Sequence, residues 1–476
     1  MSFGKNDKSN FNAVGSFRQH AASVTKSKYT NPYTVAPTPD FETPPKEDKP
    51  TSDYRFKFVP KTDKKPHELL NEGERKMGGK LTENSLSKEQ REVFDTMSKW
   101  YERKESDLLK VGGYAGTGKS TLLSVFANKY LDVQAAFCAF TGKATSVLRK
   151  KFYEANIVKG AFDIGTLHSL IYYPIPNEKT GGIRGWKKRQ RLPYDLIVVD
   201  EASMLNEELF TDLQSYGIPI LAVGDHGQLP PVFGSFSLMD KPHLKLETIH
   251  RQAEDSPILA LSEFVRRTGQ VPRMADCEEV QVLEHNQVNE VVQKLFTAPG
   301  VRYDDVAMLC YKNETRVDLN NRARVTRWES SWADPPQVDD QVICLRNTDA
   351  TIFNGMRGTI QEIEESARYV YEGRVLFEDD EIEVSGSISA PQLGHPTTFK
   401  DFNEYHAATG HRPNNWSQVG LLLDYGYALT CHKAQGSQFE HVVVVAEKPN
   451  RISYDDWKRW IYTAITRCSK YLVVLQ

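Results

Sequence analysis

The sequence has no run of about 18 apolar residues, so a membrane-spanning helix is excluded. Its first residues, MSFGKNDKSNFNAV, lack the apolar stretch of a secretion signal, which points to a cytoplasmic protein with no membrane partner. It also lacks an excess of either charge: Lys plus Arg is 60, Asp plus Glu is 63, and the net charge is -3. That excludes a protein that coats nucleic acid by bulk positive charge, so any nucleic-acid site must be a local groove. Cysteine is scarce. Cys138, Cys277, Cys310, Cys344, Cys431 and Cys468 form no CxxC and no zinc spacing, and most lie in apolar runs such as VAMLCY. They read as buried thiols in a reducing compartment. No repeat recurs at a fixed period, which excludes a solenoid.

What is present divides the chain. Residues 1–85 hold 8 of the 24 prolines, with 15 basic and 11 acidic residues, and their apolar residues stand singly. Such a segment buries too little surface to offset its chain entropy, so a disordered tail is expected. Within it, DYRFKFVPK is a stretch that could order on a partner. From Leu86 the pattern changes. SLSKEQREVFDTMSKWY offers Ser87 as an N-cap and Val93, Phe94, Met97 and Trp100 at helical spacing. Short apolar runs (LLKVGG, LIVVDEA, PILAVGD, VVVVAEK) then alternate with helical patterns, which predicts an α/β fold with parallel sheets covered by helices. At roughly 150 residues per domain, the length allows about two to four domains.

Residues 113–120, Gly-Tyr-Ala-Gly-Thr-Gly-Lys-Ser, fit G-x-x-x-x-G-K-[ST] between a predicted strand and a predicted helix. Gly113, Gly116, Thr117, Gly118, Lys119, Ser120 and Thr121 are the candidate ATP cradle. The glycines let backbone N–H groups wrap phosphates, and the helix N-terminus favours the anion. Lys119 would reach the β and γ phosphates, and Ser120 would put its hydroxyl on Mg²⁺. About 80 residues on, the strand Leu196–Val199 runs into Asp200-Glu201. Asp200 would hold Mg²⁺, and Glu201 would orient or deprotonate the attacking water.

Together with these, LSKEQ (86–90), FTGKATSVL (140–148), TLHSL (166–170), DEASM (200–204), GDHGQLPPV (224–232), ETIHRQ (247–252), LTCHKAQGSQF (429–439) and YTAITRC (462–468) follow one another in a familiar order. The chain from about residue 86 to 476 resembles the superfamily 1 helicases of the B type, the RecD-like group, and within it the phage Dda-type DNA helicases. It departs at Gln438, where RecD-like proteins often carry Glu. The resemblance implies an adenine contact at Gln90, a γ-phosphate sensor at Gln228, and two arginine fingers, Arg251 and Arg467. Such a finger is worth about 10³ to 10⁵ in rate. It implies single-stranded DNA contacts at Thr141, Lys143, Thr145 and His168 in the first domain, and at Asn313, Thr430, His432 and Lys433 in the second. Taken singly, His168 reads equally as a buried, hydrogen-bonded histidine, whereas for His432 the strand contact is the favoured reading.

Residues 171–193 separate TLHSL from the acidic strand. Thr180-Gly181-Gly182 between two short runs predicts a β-hairpin, followed by the basic arm RGWKKRQR. In the resembled group such an insertion is a pin that splits duplex DNA. That places Trp186 against a base, with Arg184, Lys187, Lys188 and Arg189 near phosphates; a solvated basic loop is the bland alternative. Residues 346–420 hold short alternating runs, with Gly355 and Gly358 suited to turns, which suggests a small β-barrel. The resemblance makes it SH3-like.

The expected organisation is therefore a tail (1–85), a first RecA-like domain (86–252) with a pin (171–193), and a second RecA-like domain in two parts (253–345 and 421–476) around a β-barrel (346–420). The expected activity is ATP- and Mg²⁺-dependent 5′ to 3′ movement on single-stranded DNA with unwinding of forked duplexes, by a monomer serving replication, recombination or repair. A single-stranded-DNA-binding protein or replication partner would dock on the tail. A translocase that remodels protein–DNA complexes, an inert clamp and an RNA substrate stay open as alternatives.

Overall fold

A computed structural model describes residues 57–58, 81–157, 162–176, 183–231, 236–249, 256–272, 277–299, 301–329, 334–347, 352, 354–377, 382–414 and 416–476. Most of the expected tail, the hairpin tip (177–182) and Arg251 lie outside these residues. Among the described residues no helix is long and apolar enough to cross a membrane.

The helix Lys88–Arg103 starts where its cap predicts. Ser87 Oγ accepts from Gln90 N–H, Gln90 Oε1 takes Ser87 N–H in return, and Val93, Phe94, Met97 and Trp100 are buried. This reciprocal box satisfies two donors that a helix end would otherwise strand. The helix covers a six-stranded, wholly parallel sheet in the order 162–166, 135–139, 196–200, 220–224, 108–113, 244–246. Its strands are apolar on both faces, and one buried cluster lies on each side, the mark of a sheet sandwiched by helices. The order has a functional consequence. The strand Ile220–Gly224, which leads into GDHGQ, lies between the phosphate-loop strand Leu108–Gly113 and the acidic strand Leu196–Asp200. Parallel strands deliver all three motifs to one carboxyl-terminal edge, where α/β sheets bind ligands.

A second parallel sheet runs in the order 280–283, 468–475, 439–445, 306–310, 428–430. The strands Val306–Cys310 and Ala428–Thr430 end side by side, Cys310 opposite Thr430. An antiparallel sheet follows the order 57–58, 382–389, 370–377, 357–367, 341–344, 423–425. It uses strands on both sides of 346–420. It also shares one buried core with the second parallel sheet, in which Met308 and Val443 join Ile360, Val375 and Phe377. Lys57–Phe58, inside the segment expected to be tail, pairs as its edge strand with Ser385 and Val384. The strands Tyr172–Pro176 and Ile183–Lys188 form a separate two-stranded hairpin. Residues Phe399–Pro413 do not belong to the compact unit that holds the other described residues. Among them, Asp401 caps the helix Phe402–Thr409 and Gly410 (φ 71°) ends it.

Candidate nucleotide site and strand path

The phosphate loop bends at Gly116 and Gly118, whose φ of 80° and 75° fall in the left-handed region that glycine adopts without strain. Gly113 is needed for space: a Cβ there would lie 2.7 Å from Thr117 Oγ1 and 3.0 Å from Lys119 Cγ. Thr117 is buried, and its hydroxyl bonds the Tyr114 carbonyl at 2.9 Å. Lys119 opens the helix Lys119–Lys129, with Ser120 and Thr121 behind it, and its Nζ donates to the Gly113 and Tyr114 carbonyls at 2.8 and 3.0 Å. Gln90, expected at the adenine, directs Nε2 to the Thr117 carbonyl at 3.1 Å, so it also ties its helix to the loop.

Ser120 Oγ bonds Lys151 Nζ at 2.7 Å. Burial, then the neighbouring Glu201, push the Asp200 carboxyl up to about 6, against the charges of Lys151 and Lys119, which pull it back. The Lys151 ammonium thus stands in for a cation at a corner made of one hydroxyl and one carboxylate. These residues fit Mg²⁺, which keeps few protein ligands and takes phosphate oxygens and water for the rest. Beside this corner several buried polar atoms find no hydrogen-bond partner among the described residues: Glu201 Oε2, Gln228 Oε1, Ser203 Oγ and both ring nitrogens of His226. Buried polar atoms are seldom left so, and their convergence here marks a place built for a polar ligand.

The second parallel-sheet domain meets this edge. From the helix Tyr454–Ile465, the Tyr462 hydroxyl accepts from Ala115 N–H at 2.8 Å and donates to Asp225 Oδ2 at 2.7 Å. The Arg266 guanidinium lies 3.6 Å from the centre of the Tyr114 ring, which also packs against His226 at 4.2 Å and, edge-on, Tyr462 at 6.3 Å. Arg467 is buried, with Nε on Thr463 O, Nη1 on Ser437 O and Nη2 on Thr466 Oγ1.

The residues expected along the strand divide in two. Thr141 caps the helix Gly142–Glu154 through Ala144 N–H and lies against Gly436, where a Cβ would come within 2.7 Å of its Oγ1. Lys143 Nζ sits 4.6 Å from the centre of the Phe439 ring, across from it in the second domain. Thr145 is buried, its hydroxyl spent on the Thr141 and Gly165 carbonyls, so what it does here is pin the loop. Phe140, next to Thr141 and 36% exposed, is an aromatic the motif reading passed over. Asn313, Thr430, His432 and Lys433 gather at the carboxyl ends of two adjacent strands. Asn313 Oδ1 takes Arg316 Nε at 3.4 Å, and burial lowers the His432 pKa.

Burial first, and the Arg316 guanidinium second, bring Lys433 down to about 8. The sign follows directly. Lys433 is charged below that value and neutral above it, so affinity for a polyanion should weaken as pH rises through about 8. The expected loss is about tenfold in Kd, one charge-assisted hydrogen bond, measured by fluorescence anisotropy of a single-stranded oligonucleotide. Lys433→Arg should flatten the profile; an unchanged profile would remove Lys433 from the contact.

The hairpin is fastened to the first domain. Tyr172 OH and Lys188 Nζ both bond the Asp212 carboxylate, the lysine at 2.8 Å. Arg189 lies 5.9 Å and Lys187 6.0 Å from the Tyr173 ring. Trp186 faces Pro174 in the ladder and meets the His168 ring edge-on at 4.5 Å. Trp186 therefore sits towards the hairpin's root, and burial lowers the His168 pKa.

Residues 101–234 match the model of an AAA domain and residues 425–475 that of the UvrD-like helicase C-terminal domain. The chain is 27% identical over 413 residues to the ATP-dependent RecD2 DNA helicase of Deinococcus radiodurans, covering 82% of this chain and 48% of that protein. It is 22% identical to the ATP-dependent DNA helicase Pif1 of Campylobacter jejuni, covering 71% and 82%. Bacteroides Pif1 bound to ssDNA aligns with a TM-score of 0.46 at 17% identity, over 82% of this chain and 92% of that one. The chain spans about half the length of the first curated relatives it matches, 48% and 54%. The two matches set an AAA domain ahead of a UvrD-like helicase C-terminal domain in one chain. The curated relatives that it resembles include helicases of the RecD and Pif1 kinds.

Proposed function

We propose that the chain is an ATP-dependent DNA helicase that moves 5′ to 3′ on single-stranded DNA and opens duplexes at forks. One observation carries the reading. Lys119, Asp200, Glu201 and Gln228 converge on one sheet edge, and a second parallel-sheet domain bonds to that same edge through Tyr462. A nucleotide held there is sensed by both domains, so its hydrolysis alters their contact and moves a strand held across them.

Ser120 and Asp200 would hold Mg²⁺, which supplies charge neutralisation on the β and γ phosphates. The other steps belong to the chain. The loop's N–H groups and Lys119 bind phosphate, Glu201 orients or deprotonates the attacking water, and Gln228 senses the γ phosphate. Arg467 and Arg251 would bring positive charge when the cleft closes. Thr141, Lys143 and Phe140 on one side and His432 and Lys433 on the other offer the hydroxyls, charge and ring face that a backbone-tracking site uses.

Strand displacement with a 5′ or a 3′ single-stranded overhang, with and without ATP, tests the reading. Displacement only from the 5′ overhang and only with ATP is expected; displacement only from the 3′ overhang would overturn the polarity. The hairpin separates unwinding from plain translocation. Trp186→Ala removes the ring that braces its second strand against His168. It should cut unwinding about tenfold, the scale of one lost base stack or ring contact, while DNA-stimulated ATPase changes little. Equal loss of both would assign the hairpin to the strand path and favour the translocase reading.

A further inference from the structure

We propose that the Tyr462 hydroxyl is a positioning residue that couples the phosphate loop to the turn of the second domain that carries His432 and Lys433. The inference rests on the helicase reading and gives it a mechanical link. Tyr462 is buried, and its hydroxyl is used in both directions, taking Ala115 N–H at 2.8 Å and giving its proton to Asp225 Oδ2 at 2.7 Å. Asp225 is fully buried and holds Gly227 N–H at 2.9 Å and Gln228 Nε2 at 3.3 Å. One residue further on, Leu229 N–H bonds Thr463 Oγ1 at 2.9 Å, and the Leu229 carbonyl accepts from Gln435 Nε2 at 2.8 Å. Gln435 belongs to the turn between Thr430 and Phe439, the turn that carries His432 and Lys433.

Hydrogen bonds joined through the Asp225–Leu229 backbone thus lead from a phosphate-loop amide to that turn, and they cross between the domains at Tyr462, Thr463 and Gln435. All three side chains are buried, so a broken bond there would not be made good by water, and the run tends to be either whole or open. Burial and Asp225 hold the Tyr462 phenol well above its ordinary pKa, which keeps it a donor across neutral pH. Gly227 leaves room for the approach, since a Cβ there would lie 3.0 Å from the Tyr114 ring and 3.1 Å from the Tyr462 ring. Any shift of Ala115 when phosphates enter the loop must move Tyr462, and with it the Asp225–Leu229 segment and Gln435.

The test compares wild type, Tyr462→Phe and Thr463→Val. Tyr462→Phe deletes only the hydroxyl, and Thr463→Val removes the second crossing, the tether on Leu229 N–H, without touching the phosphate loop. The readout is the ratio of ATPase rates with and without single-stranded DNA. Affinities for a fluorescent ATP analogue and for the oligonucleotide are measured separately. Each variant should lower the ratio about tenfold while either affinity alone moves by less than about threefold, a coupling of ordinary allosteric size. A merely structural role would lower stability and both affinities and leave the ratio alone. Wild-type ratios in both variants would overturn the inference, as would a loss confined to nucleotide affinity in Tyr462→Phe with a normal Thr463→Val. Should Tyr462→Phe fail to fold, Thr463→Val decides. A wild-type chain that single-stranded DNA does not stimulate would overturn the helicase reading itself.

Discussion

Glu201→Gln should slow ATP turnover about 10²- to 10⁴-fold, the usual worth of a positioned general base, and leave ATP binding nearly intact. Glu201 follows the acidic strand with φ 52°, in the left-handed region that costs a non-glycine residue of order 1–3 kcal/mol. Its carboxylate Oε2 is buried without a partner among the described residues. An oxygen so placed suits a water awaiting deprotonation. Glutamine keeps the size and can still accept a hydrogen bond, but it cannot take the proton. Rapid-quench measurement of a single turnover isolates the chemical step, and equilibrium binding of a fluorescent ATP analogue reports the ground state. Turnover within about threefold of wild type would take the base role from Glu201 and leave it only the orientation of the water.

Much of this site was legible in the sequence because its parts are local. The glycine spacing of the phosphate loop, the Ser87 N-cap and the acids ending an apolar strand are each set by neighbours within a few residues. Motif order then supplied what no single motif could. What stayed hidden depends on tertiary approach. Lys151 is a lysine near the end of an amphipathic helix, and nothing in its surroundings in sequence announces that it reaches Ser120. Tyr462 and Arg266 stand out only once two sheets are brought together, when they reach Ala115 and Tyr114. Thr145 shows the opposite failure. A threonine in a helix's first turn can bond the carbonyl four residues back, and here that local bond takes the hydroxyl expected on the strand path. Strands of the antiparallel sheet between 357 and 389 were legible as alternation, whereas its strands 341–344 and 423–425 lie outside the 346–420 bounds expected. The edge strand Lys57–Phe58 was not legible, because two residues cannot declare a period.

Arg467→Ala should lower kcat about 10³-fold or more, with a much smaller effect on KM, because an arginine finger acts on charge that develops only in the transition state. Its setting suits that task. The guanidinium is 5% exposed and fixed by Thr463 O, Ser437 O and Thr466 Oγ1, and among the described residues none of its hydrogen bonds goes to a carboxylate. Three neutral oxygens orient the charge without cancelling it, so it stays available to an anion in the cleft. Lysine cannot reproduce this: a single ammonium lacks the planar fork that meets three acceptors at once. Arg467→Lys should therefore recover little of the lost rate, even where it restores thermal stability lost in Arg467→Ala, where the stranded acceptors cost about 1–3 kcal/mol. Steady-state kinetics on both variants beside their melting curves separates the two roles. A lysine variant that regains both stability and rate would make Arg467 a structural tie between the helix Tyr454–Ile465 and the Ser437 turn, and would leave the transition state to Arg251.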